Sequence, residues 1–274
     1  MKAELSLPLF LGSFKGWIHP DYIHPPFIEA ISDCHRLLRQ PHCQILLETR
    51  NRVGVVRLKL QNEKEAEVVI KEFKTQGVNK LKSFFLPSKA SKAWKGAVAL
   101  VERGINTPFP VACLEKRKGG FLDQSFYLAE RIREAREIRS LFLNTSAGQI
   151  RPLLESLARY LSFCHRRGML HRDLSDGNIL VNTEKEGKFR FYFIDTNRIR
   201  FPKKIGLLKR IKNLTRLGIP PPFQPFFLEQ YLGSHRFYPL LRLWYRMNKK
   251  IYTWFVAFKR KLKLRQLAQK LKIQ

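Results

Sequence analysis

An eight-residue stretch, His171-Arg172-Asp173-Leu174-Ser175-Asp176-Gly177-Asn178, gathers carboxylates, an amide and two basic side chains in one short segment. A carboxylate such as Asp173 can accept the proton of a hydroxyl and aim that hydroxyl at an electrophile. Five residues on, Asn178 offers an amide oxygen. Asp195 offers a second carboxylate just after the strand-forming run Phe189–Ile194. Oxygens of these two kinds are hard ligands suited to Mg2+. Lys71 ends the apolar run Val68-Val69-Ile70 and brings a point charge that can reach phosphates. A base, two hard-metal ligands and a phosphate-binding cation are what phosphoryl transfer from ATP needs, since that reaction is catalysed mainly by positioning and charge stabilisation.

These residues must be held by particular elements. Alternation of apolar and polar residues predicts strands over Ile45–Glu48, Val53–Leu60 and Glu67–Phe73, with a polar turn at Gln61–Glu65. Ser88–Arg103 reads as a helix stopped by Gly104 and the following Ile105-Asn106-Thr107-Pro108. Val111–Lys116 and Ser125–Ile132 read as two further strands joined through Gly119-Gly120. Lys71 therefore belongs on the third strand of a small antiparallel sheet with one inserted helix. From about Gln149 the apolar residues recur at helical spacing until Gly168, and the catalytic stretch follows at once. Ile179–Asn182 and Phe189–Ile194 make a hairpin across Thr183–Lys188, which returns the chain so that Asp195 lies beside Asn178. Beyond Pro202 the pattern is mostly helical. The expected architecture is α+β: a two-lobed, protein-kinase-like fold with a small antiparallel β lobe and a larger helical lobe. The expected division is an N-terminal extension over 1–44 with a short helix near Phe27–Leu38, a β lobe over 45–132 and a helical lobe over 133–245. A basic amphipathic helix over 246–274 follows.

The segment His171–Asn178 matches the HRDLxxxN string of protein kinases, and here it follows a helix and precedes a hairpin. Two further strings, Arg103-Gly104-Ile105-Asn106-Thr107-Pro108-Phe109-Pro110 and Phe193-Ile194-Asp195-Thr196-Asn197-Arg198-Ile199-Arg200-Phe201, resemble the lipopolysaccharide kinase family, the Kdo/WaaP group related to InaA-type proteins. In that family the second string takes the place of the protein-kinase DFG. The resemblance covers about Ile45 to Tyr231. It implies ATP and Mg2+ as cofactors and a sugar hydroxyl of the lipopolysaccharide inner core, on heptose or Kdo, as acceptor. It gives Asp173 and Lys71 the catalytic work and Asn178 and Asp195 the metal. Departures from the protein-kinase pattern agree with a non-protein acceptor. Asp195 is followed by Thr196-Asn197, Ser175 stands where a lysine is frequent, and the sequence has no APE-like end to an activation segment.

Nucleotide contacts are expected at Gly54, the remaining glycine between the first two strands, and at the backbone of Glu130-Arg131-Ile132, where an adenine would bind. The helix Ser88–Arg103 carries no mid-helix glutamate to pair with Lys71, only Glu102 near its end. A thin glycine loop and a missing glutamate keep open a catalytically weak kinase-fold scaffold that binds a polyanion; a kinase of a protein or other small molecule is the further alternative.

Composition sets the partners. The hydrophobic fraction of 44% and aromatic fraction of 12% fit a packed core and exclude a disordered chain. Four scattered cysteines suit a reduced compartment. A formal net charge of +30 draws polyanions. After Asp195 the only acidic residue is Glu229, while Trp244, Met247, Ile251, Trp254, Phe258 and Leu262 recur at helical spacing among lysines and arginines. That pattern fits a helix lying on an anionic leaflet as well as it fits a core-packing helix with a solvated basic face. Without a nucleic-acid-binding motif, nucleic acid ranks below a lipid surface. The expected location is cytoplasmic and peripheral, on the cytoplasmic face of the inner membrane, with lipopolysaccharide core glycolipid as the partner.

Overall fold

The computed structural model describes residues 5–60, 64–144, 146–184 and 187–262. The expected polar turn at 61–65 falls mostly outside the described residues, as do part of the hairpin turn at 183–188 and the last twelve residues of the expected C-terminal helix. The chain forms two compact units.

The first unit, which takes in residues 5–102 and 108–132, is built on a seven-stranded antiparallel sheet. Its strands are β1 (Leu7–Leu11), β2 (Phe14–Ile18), β3 (Gln44–Glu48), β4 (Asn51–Lys59), β5 (Glu65–Phe73), β6 (Pro110–Lys118) and β7 (Phe121–Glu130), in the spatial order β1-β2-β6-β7-β5-β4-β3. Five of these strands follow the sequence pattern. Residues 7–18, expected within an N-terminal extension, instead add a hairpin to the sheet through β2 and β6. Gly16 makes that pairing possible: a Cβ there would stand 1.8 Å from the Cys113 carbonyl oxygen.

The strands alternate between two cores, as a side-chain period of two dictates. Val56 and Leu58 of β4, Val68 and Ile70 of β5, and Phe126 and Leu128 of β7 pack with Phe27 and Ile31 of α1 (Pro25–Ile31) and Cys34 and Leu37 of α2 (Cys34–Leu37). The expected single helix near Phe27–Leu38 is thus two short ones. On the opposite face Phe73, Cys113, Tyr127 and Ala129 meet Ala90, Ala93, Trp94 and Ala97 of α4 (Lys89–Val101), whose first turn is capped by Ser88 Oγ accepting from the Ser91 N–H at 2.9 Å. A short α3 (Val78–Lys82) precedes it.

The second unit takes residues 103–107 and, among the described residues, 133–262. It contains β8 (Arg136–Glu137), α5 (Ile138–Asn144), α6 (Ala147–Arg166), β9 (Leu170–His171), β10 (Ile179–Thr183), β11 (Phe189–Phe193), β12 (Ile199–Arg200), α7 (Leu207–Leu214), α8 (Gln224–Leu232) and α9 (Tyr238–Lys261). The buried stripe Ile150, Leu153, Leu154, Leu157, Leu161 and Cys164 confirms the helical spacing of α6. Tyr160 of α6 stacks on Phe191 and Phe193 of β11, with ring centroids 5.5 and 5.8 Å apart. The β10–β11 hairpin forms as expected, with Ile179 opposite Phe193. The tiny strands β8, β9 and β12 have no period to betray them in the sequence. They pin the catalytic stretch: β9 pairs with β12, and β8 with β10. The C-terminal helix begins at Tyr238, eight residues before the expected 246.

Candidate active site

The catalytic stretch is a loop closed on its own backbone. His171, fully buried, sits in β9 opposite Ile199. Its Nδ1 accepts the Asp173 N–H at 3.2 Å, so Nε2 carries the proton and donates to the Ile194 carbonyl at 3.0 Å. Burial pushes the His171 pKa down, and this neutral tautomer is the form that satisfies both partners. The Asp173 carbonyl accepts from Asn178 Nδ2 at 2.7 Å and from the Ser175 N–H at 2.7 Å. Leu174, fully buried, anchors the turn below.

The hairpin then brings Asp195 home. The Ile194 N–H donates to the Asn178 carbonyl at 3.1 Å, which sets Asp195 next to Asn178. Asp195 has φ 56 and ψ 44, left-handed backbone that aspartate tolerates better than most side chains. The residues after it hold this conformation. The Asn197 side-chain amide, oriented with its nitrogen towards Asp195, donates to the Asp195 carbonyl at 3.1 Å and to Oδ1 at 2.9 Å. The Arg198 N–H donates to the same carbonyl at 3.0 Å, and Arg198 Nε lies 3.9 Å from Asp195 Oδ2.

The turn after α4 clamps the other side of this corner. Asn106 accepts the Phe193 N–H at 3.1 Å through its carbonyl, Thr107 Oγ1 donates to the Phe193 carbonyl at 2.8 Å, and the Asn106 N–H is held by Tyr160 Oη at 2.9 Å. Arg103 lies over the Phe201 ring at 4.1 Å. The strings Arg103–Pro110 and Phe193–Phe201, far apart in sequence, are therefore two halves of one support for Asp195.

Sequence reasoning missed the surroundings of Asp173. Arg216, in the segment after α7, donates to Asp173 Oδ1 at 2.8 Å. Its guanidinium also lies 5.6 Å over the Tyr252 ring of α9. Lys249 of α9 donates to the Thr215 and Leu217 carbonyls on either side of Arg216. Deeper in, Asn213 Nδ2 donates to the His171 carbonyl at 2.8 Å, while its Oδ1 accepts from His165 Nε2 at 3.1 Å. His165 Nδ1 takes the Tyr231 hydroxyl at 2.7 Å, and burial lowers the His165 pKa to about 4. Asp176, to which the sequence assigns no separate role, pairs with Arg139 at 3.2 Å. Gly218 leaves room for it, since a Cβ there would meet Asp176 Oδ2 at 2.6 Å. Asn197 and Arg198 were legible inside the Ile-Asp-Thr-Asn-Arg string. Arg216, 43 residues from Asp173, stands in no motif.

Asp173, Asn178 and Asp195 thus come together in the helical unit. The other candidates lie in the sheet unit. Lys71 is on β5, opposite Val53 of β4 and Tyr127 of β7, with Nζ 5.1 Å from the Phe73 ring centroid. Gly54 pairs with Ile70, one residue before Lys71, and so faces the opposite side of the sheet. A Cβ at Gly54 would stand 2.5 Å from Cys43 Sγ and 2.9 Å from a Leu38 methyl. Gly54 is three residues inside β4, and its missing side chain makes room for that packing. Glu130 accepts the Tyr22 hydroxyl through Oε1, its N–H donates to the Phe109 carbonyl at 2.9 Å, and the sheet unit ends at Ile132. Glu72, next to Lys71, faces His35, with Oε1 3.2 Å from its Nδ1. As expected, α4 offers no acid before Glu102.

The oxygens of Asn178 and Asp195 fit Mg2+. Asn178 Nδ2 is committed to the Asp173 carbonyl, so Oδ1 is the atom left for a cation. Among the described residues no cluster of three His, Cys, Asp or Glu could hold a metal unaided. Asn178 and Asp195 would hold such an ion, which would supply charge neutralisation to a bound phosphate.

Residues 65–219, more than half of the chain, match the model of the lipopolysaccharide kinase (Kdo/WaaP) family. The chain belongs to that family. It is a phosphotransferase by membership, and the matched span holds both strings that support Asp195. A solved structure, WaaP in complex with acyl carrier protein, shares the fold at a TM-score of 0.52 and 21% identity, over 76% of this chain and 88% of that one. A local likeness of 42 residues is 48% identical to cell division control protein 2 homolog 1 of Trypanosoma brucei brucei. It spans 15% of this chain and 14% of that protein. The protein-kinase-like α+β fold expected from the sequence is the one observed.

Proposed function

We propose that this family member transfers the γ-phosphoryl group of ATP to a sugar hydroxyl of the lipopolysaccharide inner core, a heptose or Kdo, with Mg2+ as cofactor. The observation that carries the reading is the closed loop in which Asp173 is aimed by His171 while the hairpin sets Asn178 and Asp195 side by side. Mg·ATP, when bound, supplies the phosphoryl group and neutralises charge on it. Asp173 takes the acceptor's proton through Oδ2 while Arg216 holds Oδ1. Asn178 and Asp195 hold the metal, and Lys71 serves the α- and β-phosphates. The backbone of Glu130 to Ile132 takes the adenine. Ser175 and the Asp195–Arg198 turn, in place of a peptide-docking activation segment, favour a glycan acceptor over a protein one.

Because that acceptor is a membrane glycolipid, the protein is assigned to the anionic cytoplasmic face of the inner membrane. No helix of the described residues is long and apolar enough to cross a membrane, which agrees with a peripheral attachment. A second reading, a catalytically weak scaffold, draws on the β3–β4 turn, whose residues Thr49 and Arg50 include no glycine.

The test is phosphotransfer from Mg·ATP to isolated core oligosaccharide, read by mass spectrometry, for wild type, Asp173→Asn and Asp195→Asn. Phosphate gained with wild type alone supports the reading. Self-labelling or protein labelling with inert core sugar assigns another acceptor. No ATP turnover by wild type assigns the scaffold.

A further inference from the structure

We propose that the outer face of α9 is a docking surface for an anionic lipid leaflet, and that it carries the catalytic base with it. The proposal rests on the glycolipid reading above for its biological sense but not for its test. α9 has three distinct sides. Leu241, Tyr245 and Asn248 are buried against the helical unit. Leu240, Leu243, Met247, Ile251, Trp254 and Phe258 recur every three or four residues, so they line one stripe, and all are between 43% and 65% exposed. At 1.5 Å per residue this stripe runs about 27 Å. Arg242, Arg246 and Lys250, spaced by four, form an exposed basic stripe beside it.

Charge and chemistry choose the occupant. Residues 238–261 contain seven lysines and arginines and no acid, so a second copy of this helix would be repelled. A nucleic acid would satisfy the cations but leave the apolar stripe in water. An anionic leaflet satisfies both: headgroups meet the basic stripe while Trp254, stacked on Phe258 at 5.3 Å, enters the headgroup–acyl boundary where tryptophan is favoured.

The inner side of α9 links this surface to chemistry. Lys249 holds the Thr215 and Leu217 carbonyls, Tyr252 underlies Arg216, and Arg216 holds Asp173. One helix thus presents lipid on one side and positions the base through a single arginine on the other. An acceptor hydroxyl at the leaflet surface is then met by a base whose orientation to that surface is fixed.

The test uses the full chain with Ile251→Glu, Trp254→Glu and the charge-reversed Arg242→Glu/Arg246→Glu, each checked for wild-type circular dichroism. Co-sedimentation is measured with phosphatidylcholine vesicles with and without phosphatidylglycerol, none containing an acceptor. Wild type is expected to sediment with the phosphatidylglycerol vesicles. Each stripe variant is expected to lose at least about tenfold in partitioning, and charge reversal to abolish the preference for anionic vesicles. Turnover of a soluble acceptor is expected to stay unchanged in the stripe variants. Binding that follows charge alone, equal in wild type and stripe variants, overturns the proposal in favour of an acidic macromolecule. A wild-type dimer that Ile251→Glu turns into monomer overturns it in favour of self-association. A wild type that stays in the supernatant also overturns it. Failure of the kinase reading is separate, because it removes phosphotransfer from wild type and leaves vesicle binding as found.

Discussion

Replacing Arg216 by alanine separates what this side chain does for catalysis from what it does for folding. The Arg216–Asp173 pair spans 2.8 Å, and its two side chains are 39% and 41% exposed. An ion pair that open to water contributes about 0.2–1 kcal/mol to stability. For a chain of this size such a loss shifts Tm by at most about 4 °C. The catalytic cost is of a different order. Without the guanidinium the Asp173 carboxylate turns about its χ angles, and misplacement of a reacting group by about 1 Å costs up to about 100-fold. The expected result is a kcat lowered about 10- to 100-fold, or about 1.4–2.7 kcal/mol of transition-state stabilisation. KM for ATP should stay within about threefold, since the interaction acts on the acceptor's proton rather than on nucleotide binding. Arg216→Lys, which restores a cation without the planar fork, should recover part of the loss. The assay is steady-state phosphotransfer to core oligosaccharide, with Tm from circular dichroism on the same preparations. A variant with wild-type or raised kcat refutes the argument and leaves the pair as an ordinary surface contact. So does a loss of activity that matches a loss of folded protein.

Other consequences are open to direct measurement. Asp173→Asn and Asp195→Asn should each lower turnover at least about 100-fold with Tm within a few degrees of wild type, since both carboxylates are partly exposed. Gly16→Ala should destabilise the sheet unit by more than about 2 kcal/mol, because its methyl would collide with the Cys113 carbonyl rather than with a movable side chain; urea unfolding followed by tryptophan fluorescence reads this. Stability should fall with acid through His165. Its folded pKa of about 4 lies below the unfolded value of about 6.5, so the unfolded chain takes the proton first. The contribution is intact above pH 6.5 and is eroded as pH drops towards 4, by on the order of 3 kcal/mol in all. His165→Gln should flatten the slope of unfolding free energy across that window, leaving the part due to His171, which burial also shifts down.

How much of this is legible in the sequence depends on the range of the interaction. Helices α4 and α6 carry a clean period of 3.6 because each buries one face, and strands β4 to β7 are placed closely because their apolar runs feed a core on each side of the sheet, whereas β3 is exposed at every residue and shows in the sequence only as a short apolar run. The hairpin logic that set Asp195 beside Asn178 also worked, since antiparallel pairing returns a chain to its start. The β1–β2 hairpin is harder to see because it joins the sheet through Gly16, and a glycine inside a strand contributes no apolar position to the alternation. Gly54 can be read in two ways. A lone glycine between two strands suits close approach to a phosphate, but it suits equally well a bare spot where Cys43 and Leu38 press against the backbone, and pairing with Ile70 turns it to that side. Arg216 was invisible for the opposite reason. Its function depends on where Lys249 of α9 fastens the segment after α7, a relation between residues 32 to 43 positions apart with no local signature. The two family strings show the intermediate case: their order in the chain hinted at a shared purpose, but only the Asn106, Thr107 and Arg103 contacts to Phe193 and Phe201 explain it. The left-handed Asp195 needs both its own following turn and an outside clamp on the strand that delivers it.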